Sequence, residues 1–268
     1  LLNIIRYIEI FFQINSLVKN NPSTVFFLHT PVASHLFRLF TFFKKIKIVY
    51  FVHGFRFTLK TGVIKAFLFK TIEKILSFKT EVFITINKED YNYAKQNFSR
   101  RALCYKLNGV GLDQSIKNEK KKIVFKKKIK KILVIAAYKK EKGYFELLKV
   151  AEMLKNQKLK IDCYGYGNYF KFNRIKLKNK LQNISFKKFD LNLKNKIKKY
   201  DILLHLSKRE GLPVSVMQCL SEGLPVICYN IRGNNDLIKN KFNGLFVSNY
   251  KDVPQKIFYL NLEILFFS

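Results

Sequence analysis

Short, continuously apolar runs rich in β-branched and aromatic residues alternate along this chain with stretches of helical character. That alternation constrains the fold more than any other feature. "TVFFLH" (24–29), "KIVYFVHG" (47–54) and "EVFITIN" (81–87) are separated by helical stretches at 33–43 and 62–78, after a leading amphipathic stretch, 2–19, with Ile5, Ile8, Phe12 and Leu17 near helical spacing. A lysine-dense segment without periodicity, 113–131, then interrupts the pattern. Beyond it strands "ILVIAAY", "KIDCYGYG", "ISFKKF", "DILLHLS" and "PVICYN" alternate with helical stretches at 144–156, 169–180, 192–199 and 213–222. Continuously apolar strands with helical crossovers predict parallel sheets buried on both faces. The expected organisation is therefore α/β: an N-terminal parallel-sheet domain over 1–112, a linker over 113–131, a C-terminal parallel-sheet domain over 132–248 and the start of a helical segment over 249–268. Ligand chemistry in such sheets belongs to the strand-to-helix loops at the carboxyl ends of the strands.

Composition narrows the class. At 268 residues and 48% hydrophobic content the chain can bury a core, which excludes disorder as its dominant state. No apolar run reaches the roughly 18 to 20 residues of a membrane span. Cys104, Cys163, Cys219 and Cys228 form no CxxC pair and no metal-ligand cluster with His, and they read as free, mostly buried thiols of a reducing compartment, hence a cytoplasmic protein. The formal charge of +33 invites a nucleic-acid reading. The lysines, however, are spread along the whole chain, and no zinc finger, RNP-type aromatic motif or GxxG clamp accompanies them. No nucleic acid is expected; the excess of lysine also suits anionic lipid surfaces and phosphorylated substrates.

The pentapeptide EGLPV occurs twice, at 210–214 and 222–226, on either side of a helical stretch. In the first copy Pro213 suits the first helical turn, and in the second Gly223 suits a left-handed cap with Pro225 beyond it. Only the first copy leaves free backbone N–H groups and the positive end of the helix dipole at a strand-to-helix loop, a place for phosphate. Glu210 lies in that loop, Gln218 lies mid-helix, and Val216, Met217 and Leu220 are expected to turn toward the sheet. By spacing alone, an exposed Glu and Gln flanking a capped helix would explain the same residues.

The run "SKREGLPVSVMQCLSEGLPVICYNIRGNNDLIKNKFNGLFV" (207–247) closely resembles the donor-binding segment of family 4 glycosyltransferases, retaining enzymes of the GT-B fold. It is most similar to those of bacterial capsular and exopolysaccharide synthesis. "HTPVASHLFRL" (29–39), "VYFVHGFRF" (49–57), "TEVFITINKEDYNYAKQNF" (80–98), "NGVGLD" (108–113) and "EKGYFELLKVAEML" (141–154) fit the same family in the same order. The resemblance implies a nucleotide sugar, UDP-linked, held mainly by the C-terminal domain of a two-domain GT-B chain. Glu210 matches the first acid of the family's Glu-x7-Glu motif, which contacts the donor sugar. Gly211, Leu212 and Pro213 match the loop that approaches sugar and diphosphate, and Gln218 stands where the second acid holds the ribose hydroxyls. Lys142 matches the lysine that neutralises the diphosphate, and Gly233 and Asn234, ahead of Asn235 and Asp236, match a loop whose amides touch the donor. His53 matches a histidine facing the donor sugar, with His29 at a nearby strand end. "YGYGN" (164–168) falls loosely near the base, while His205, mid-strand, reads as packed or hydrogen-bonded. The implied acceptor is a growing glycan, in such enzymes often carried on a polyprenyl diphosphate at the cytoplasmic face of the membrane, and neither cofactor nor metal is implied.

The sequence departs from the family at three places. An arginine expected five residues before Lys142 is Ala137, preceded by Ala136 in place of glycine, so that Lys139 or Lys140 would have to supply the missing charge. The second acid is the amide Gln218, and the glycine-rich loop of the family, expected about 60 residues before the first strands from α/β units of roughly 30 residues, is not present, which implies an incomplete N-terminal domain. These departures keep open a second reading, a non-catalytic relative or gene fragment. A third, a basic nucleic-acid binder, rests on charge alone.

Overall fold

The computed structural model describes residues 2–58, 61–112, 123 and 128–262. They form two compact units, Leu1–Val110 and Gly111–Ser268. Most of the lysine-dense segment 113–131 lies outside the described residues, as do 263–268 of the expected C-terminal helical segment.

The first unit runs α1 (Leu2–Asn20), β1 (Val25–His29), α2 (Pro31–Phe40), β2 (Lys47–Val52), α3 (Val63–Ser77), β3 (Val82–Thr85), α4 (Lys88–Asn97) and β4 (Leu103–Lys106). All strand pairs are parallel, and the spatial order β1-β2-β3-β4 is the chain order. Right-handed crossovers that always step the same way put their helices on the same face. Alternate residues therefore meet different fates. Phe26, Leu28, Ile48, Tyr50, Val52 and Phe83 pack with Phe37, Ala94, Phe98 and Val18 into one core. On the opposite face Val25, Phe27, Leu103 and Tyr105 are exposed, and Val49, Phe51, Val82 and Ile84 are half-buried. The expectation of burial on both faces is corrected for this unit: apolar residues occupy both faces, but the strand order lets the unit's own helices cover one. Helix α1 brings a second correction, because Ile5, Ile8, Phe12 and Leu17 are exposed and its core contacts come from Val18 and Ile14.

Beneath the helical layer a charged group is buried. The Arg38 guanidinium of α2 donates to Glu73 Oε2 of α3 at 2.8 Å, and His35 Nε2 lies 2.7 Å from Oε1. Arg38 and Glu73 have no exposed surface.

The second unit runs β5 (Lys131–Ile135), α5 (Tyr144–Met153), β6 (Lys160–Gly165), α6 (Phe170–Lys178), β7 (Ile184–Lys188), α7 (Leu193–Lys196), β8 (Ile202–His205), α8 (Val214–Ser221), β9 (Val226–Tyr229), α9 (Asn234–Leu237), β10 (Gly244–Val247) and α10 (Val253–Leu262), with a 3-10 turn at Lys140–Lys142. The helix expected at 192–199 divides into α7 and a 3-10 turn, Ile197–Lys199. The sheet order is β10-β9-β8-β5-β6-β7, all parallel. The chain moves outward from β5 in one direction and then from β5 in the other, so helices cover both faces. Two cores result, one with Ile132, Val134, Ile161 and Leu204, the other with Leu133, Leu203, Val216 and Val226. Each such aliphatic side chain, fully buried, contributes about 1.5–3 kcal/mol relative to exposure.

Helix α8 shows how local sequence sets the site. Pro213 is extended (φ −75°, ψ 113°) and sits at the cap position immediately before the helix, not in its first turn. The helix ends where Gly223 turns left-handed (φ 79°), with Gly223 N–H donating to Leu220 O and Leu224 N–H to Cys219 O. That pair of bonds is the Schellman closure. The side chains buried against the sheet are Val216 and Cys219, with Leu220 partly buried beside them; Met217, expected there, is only half-buried. Cys163, Cys219 and Cys228 are buried free thiols, and Cys104 is half-buried.

Candidate functional site

In the second unit the sheet reverses between β5 and β8, and the loops leaving those strands lie side by side. This is the topological switch point where open parallel sheets bind ligands. The β5 loop brings Lys142, and the β8 loop brings Glu210. Their side chains form an ion pair, Lys142 Nζ to Glu210 Oε1, at 2.6 Å.

Close backbone packing holds the two loops together. Lys208 N–H donates to Glu141 O at 2.9 Å, and the Lys208 ammonium pairs with Glu146. Gly143, between the 3-10 turn and α5, has φ 79°, and a Cβ there would lie 2.1 Å from Leu206 O. A third loop joins them: Arg232 Nε donates to Glu210 O at 3.0 Å, and a Cβ on Gly233 (φ 80°) would lie 2.4 Å from Gly211 O. Substitution of Gly143 by alanine is expected to cost about 1–3 kcal/mol from left-handed backbone strain alone, with the collision added. Urea unfolding followed by circular dichroism checks this, and an unchanged midpoint would contradict it.

His205, at the end of β8, completes the group. It is buried, and its Nε2 lies 3.3 Å from Glu210 Oε1 without the alignment of a hydrogen bond. Burial alone would raise the pKa of Glu210, but His205 and Lys142 outweigh it and bring the carboxyl down to about 2. Glu210 is thus held as a carboxylate with a cation in contact. Among the described residues no group of His, Cys, Asp and Glu is arranged to hold a metal ion.

Gly211 is half-buried, Leu212 and Pro213 are buried, and Gln218 is half-buried on α8. Among the described residues no side chain caps the N-terminus of α8. Asn234 opens α9, fully buried, with Nδ2 donating to Tyr229 O at 2.9 Å and Oδ1 without a hydrogen-bond partner among the described residues. Ala137 contributes backbone, its carbonyl accepting from Lys139 N–H at 2.7 Å, and Lys139 and Lys140 are exposed.

His53 belongs to the first unit, just past the end of β2, where its Nε2 lies 3.1 Å from Nδ1 of His29 at the end of β1. Phe51 contacts both rings, at 5.3 and 4.8 Å between centroids. Desolvation, then the neighbouring His29, lower the pKa of His53. Thr30, the next residue after His29, takes a left-handed φ of 65°, a strained conformation for a β-branched residue.

Sequence reasoning missed the role of His205 and Arg232. For His205 a signal existed, because a histidine at the last position of a strand opens onto the ligand side of the sheet. Arg232 acts through the Glu210 main chain, and nothing in its local sequence marks it.

Two α/β units, each with an all-parallel sheet, give the chain the architecture of the GT-B fold that its solved structural neighbours share. The profile of the family "Glycosyl transferases group 1" matches residues 115–257, just over half of the chain, and the chain belongs to that family. It is 27% identical over 267 residues to the "Uncharacterized 41.2 kDa protein in cps region" of Klebsiella pneumoniae, covering 95% of this chain and 73% of that one. A shorter match, 39% over 56 residues, covers 21% of this chain and 14% of the "UDP-Gal:alpha-D-GlcNAc-diphosphoundecaprenol alpha-1,3-galactosyltransferase" of Escherichia coli. Among solved structures, S. aureus TarM resembles it with a TM-score of 0.69 at 21% identity, over 90% of this chain. The chain spans about half of TarM, 48% of its length.

Proposed function

We propose that this chain is a retaining, family 4 type glycosyltransferase that moves a sugar from a UDP-linked donor onto a growing, lipid-linked glycan. The observation that carries the reading is the Lys142–Glu210 pair at the switch point of the second unit. When the glycosidic bond to the diphosphate breaks, its electron pair goes to the leaving phosphate oxygen. An ammonium and a helix N-terminus there stabilise the growing charge without a metal. Lys142 takes that charge, Glu210 accepts hydrogen bonds from the donor sugar, Gln218 meets the ribose, and Gly211, Leu212, Pro213, Gly233 and Asn234 supply close backbone. His53 supports the transition state or orients the acceptor. Two findings support a capsule or exopolysaccharide setting and a lipid diphosphate acceptor: the cps-region relative and the diphosphoundecaprenol in the name of the second. A cytoplasmic site of action, peripheral on an anionic membrane, belongs to the same proposal. Among the described residues no helix is long and apolar enough to cross a membrane.

Titration of the purified chain with UDP and UDP-sugars, with donor hydrolysis as readout, tests the reading, and absence of binding at millimolar donor would refute it. Replacing Gln218 by glutamate is expected to tighten UDP binding about fivefold, because a charged acceptor adds about 1 kcal/mol over an amide. Equal affinity of the two proteins would remove Gln218 from the ribose site. A second reading, donor binding without transfer, is favoured by Ala137, and it predicts UDP binding with no turnover.

A further inference from the structure

Helix α3 presents a continuous apolar stripe to solvent. Ile64, Leu68, Ile75 and Phe78 follow one another at helical spacing, with Val63 and Phe67 beside them. These are large side chains left almost bare: Ile64 is 85% exposed, Phe67 72% and Phe78 72%. The stripe continues into the turn before β2, where Phe43 is 96% exposed, because Lys79 beyond α3 donates to Lys44 O and ties that turn to the end of the helix. Patches of this kind on a folded chain mark an interaction surface.

The exposed charges of α3 itself are of one sign. Lys65, Lys70 and Lys74 are exposed along α3, and Lys44 and Lys45 follow Phe43. The one carboxylate of the helix, Glu73, faces inward and is consumed by Arg38 and His35. Glu81, the nearest acid in the following sequence, is exposed near Phe43 among Lys44, Lys45 and Lys79, which outnumber it, and one of its oxygens accepts from Ile48 N–H at 2.5 Å. An apolar face rimmed by lysines, with no exposed acid on the helix, has the chemistry of an interfacial helix. A second copy of the chain would set its own lysines against these, a like-charge contact that opposes docking. Nucleic acid would use the lysines and leave the phenylalanines and isoleucines in water.

We propose that α3, with Phe43, is the surface by which this chain lies on an anionic lipid bilayer, the apolar stripe entering the headgroup boundary and the lysines meeting lipid phosphates. The inference deepens the reading of a lipid-linked acceptor. It is tested without donor or acceptor, so either can fail alone.

The test is co-sedimentation of the whole chain with phosphatidylcholine vesicles and with equimolar phosphatidylcholine and phosphatidylglycerol. Binding is expected to the anionic vesicles and to weaken with salt. The exposed double variant Phe67→Ser/Leu68→Ser, with circular dichroism unchanged, is expected to lower the partition coefficient about tenfold or more. Lys65→Ser/Lys74→Ser is expected to lower it about thirtyfold, the loss expected for two lysines near the surface. Three results would overturn the proposal: no binding by the wild-type chain, undiminished binding by the Phe67→Ser/Leu68→Ser variant, or a wild-type dimer that this variant converts to monomer.

Discussion

Replacing Lys142 by methionine is expected to lower kcat/KM for sugar transfer by about 10²–10³, the loss typical of removing one preorganised charge-stabilising donor. The argument starts from position. Lys142 ends a 3-10 turn at the carboxyl end of the central strand, locked from behind by Gly143 against Leu206 O. Its ammonium touches Glu210 at 2.6 Å, so a single site holds the cation proposed for the diphosphate and the carboxylate proposed for the sugar. In the donor-free chain the two neutralise one another; a diphosphate must compete for the ammonium as it enters. Methionine keeps the length of the side chain and removes the charge, so losses should appear in donor affinity and in turnover together. Among the described residues Glu210 would keep His205 beside it, and its carboxyl, now at about 2, should rise. The sign follows: a depressed pKa gives stability present above the ordinary carboxylate range and lost as pH falls toward 2, and the variant loses part of it. Arginine at 142 should recover less than half of the lost activity, because a planar fork does not replace a compact ammonium in this space. Steady-state kinetics with UDP-sugar, alongside a UDP titration, reads these outcomes. Activity within threefold of wild type would remove Lys142 from the diphosphate site.

The sequence carried more of the second unit than of the first, for a physical reason. A doubly wound sheet buries its strands on both faces, and "DILLHLS" and "PVICYN", buried throughout as β8 and β9, look like what they become. The "TVFFLH" run is equally apolar, yet as β1 it buries Phe26 and Leu28 and exposes Val25, Phe27 and His29. Hydrophobicity marks what a face can bury; strand order decides what arrives to cover it. Short or polar elements escaped for a different reason: α4, β4, α9 and β10 lack a long apolar run, and α4 starts because Asn87 caps it through Asp90 N–H at 2.8 Å. At the site, Glu210 and Lys142 were legible through motif resemblance, and their contact was not, because 68 residues separate them. The repeated EGLPV was legible through its flanks, which separate the copy that opens α8 from the copy that closes it; the structure adds the partners of Glu210, Lys142 and His205.

The largest stability effect is expected at a place outside the candidate site. Glu73→Leu should destabilise the first unit by about 3–5 kcal/mol, the cost of leaving a buried charge without its partner. Against a total of about 5–15 kcal/mol for a whole domain, that brings the unit to the edge of unfolding. Arg38 has no exposed surface, and its guanidinium lies 4.5 Å over the Tyr50 ring and donates from Nε to Ser34 O at 3.2 Å. Neither contact replaces a carboxylate. Burial by itself would raise the pKa of Glu73, but Arg38 first and His35 after it outweigh burial and lower it. The pair therefore stabilises the fold above the unfolded carboxyl pKa of about 4.3, and that contribution disappears as pH falls through the depressed folded value. Acid unfolding of this unit should accordingly begin below about pH 4. Arg38→Met/Glu73→Leu removes both charges and keeps most of the volume, and it should regain most of the lost stability while losing that acid transition. Hydrogen exchange of β1–β3 peptides, followed with pH and urea in the wild type and both variants, separates the effects. Equal protection in Glu73→Leu and wild type would show that Arg38 finds another partner or water. A double variant as unstable as the single one would show that packing around α2 and α3, and not the unpaired charge, sets the loss.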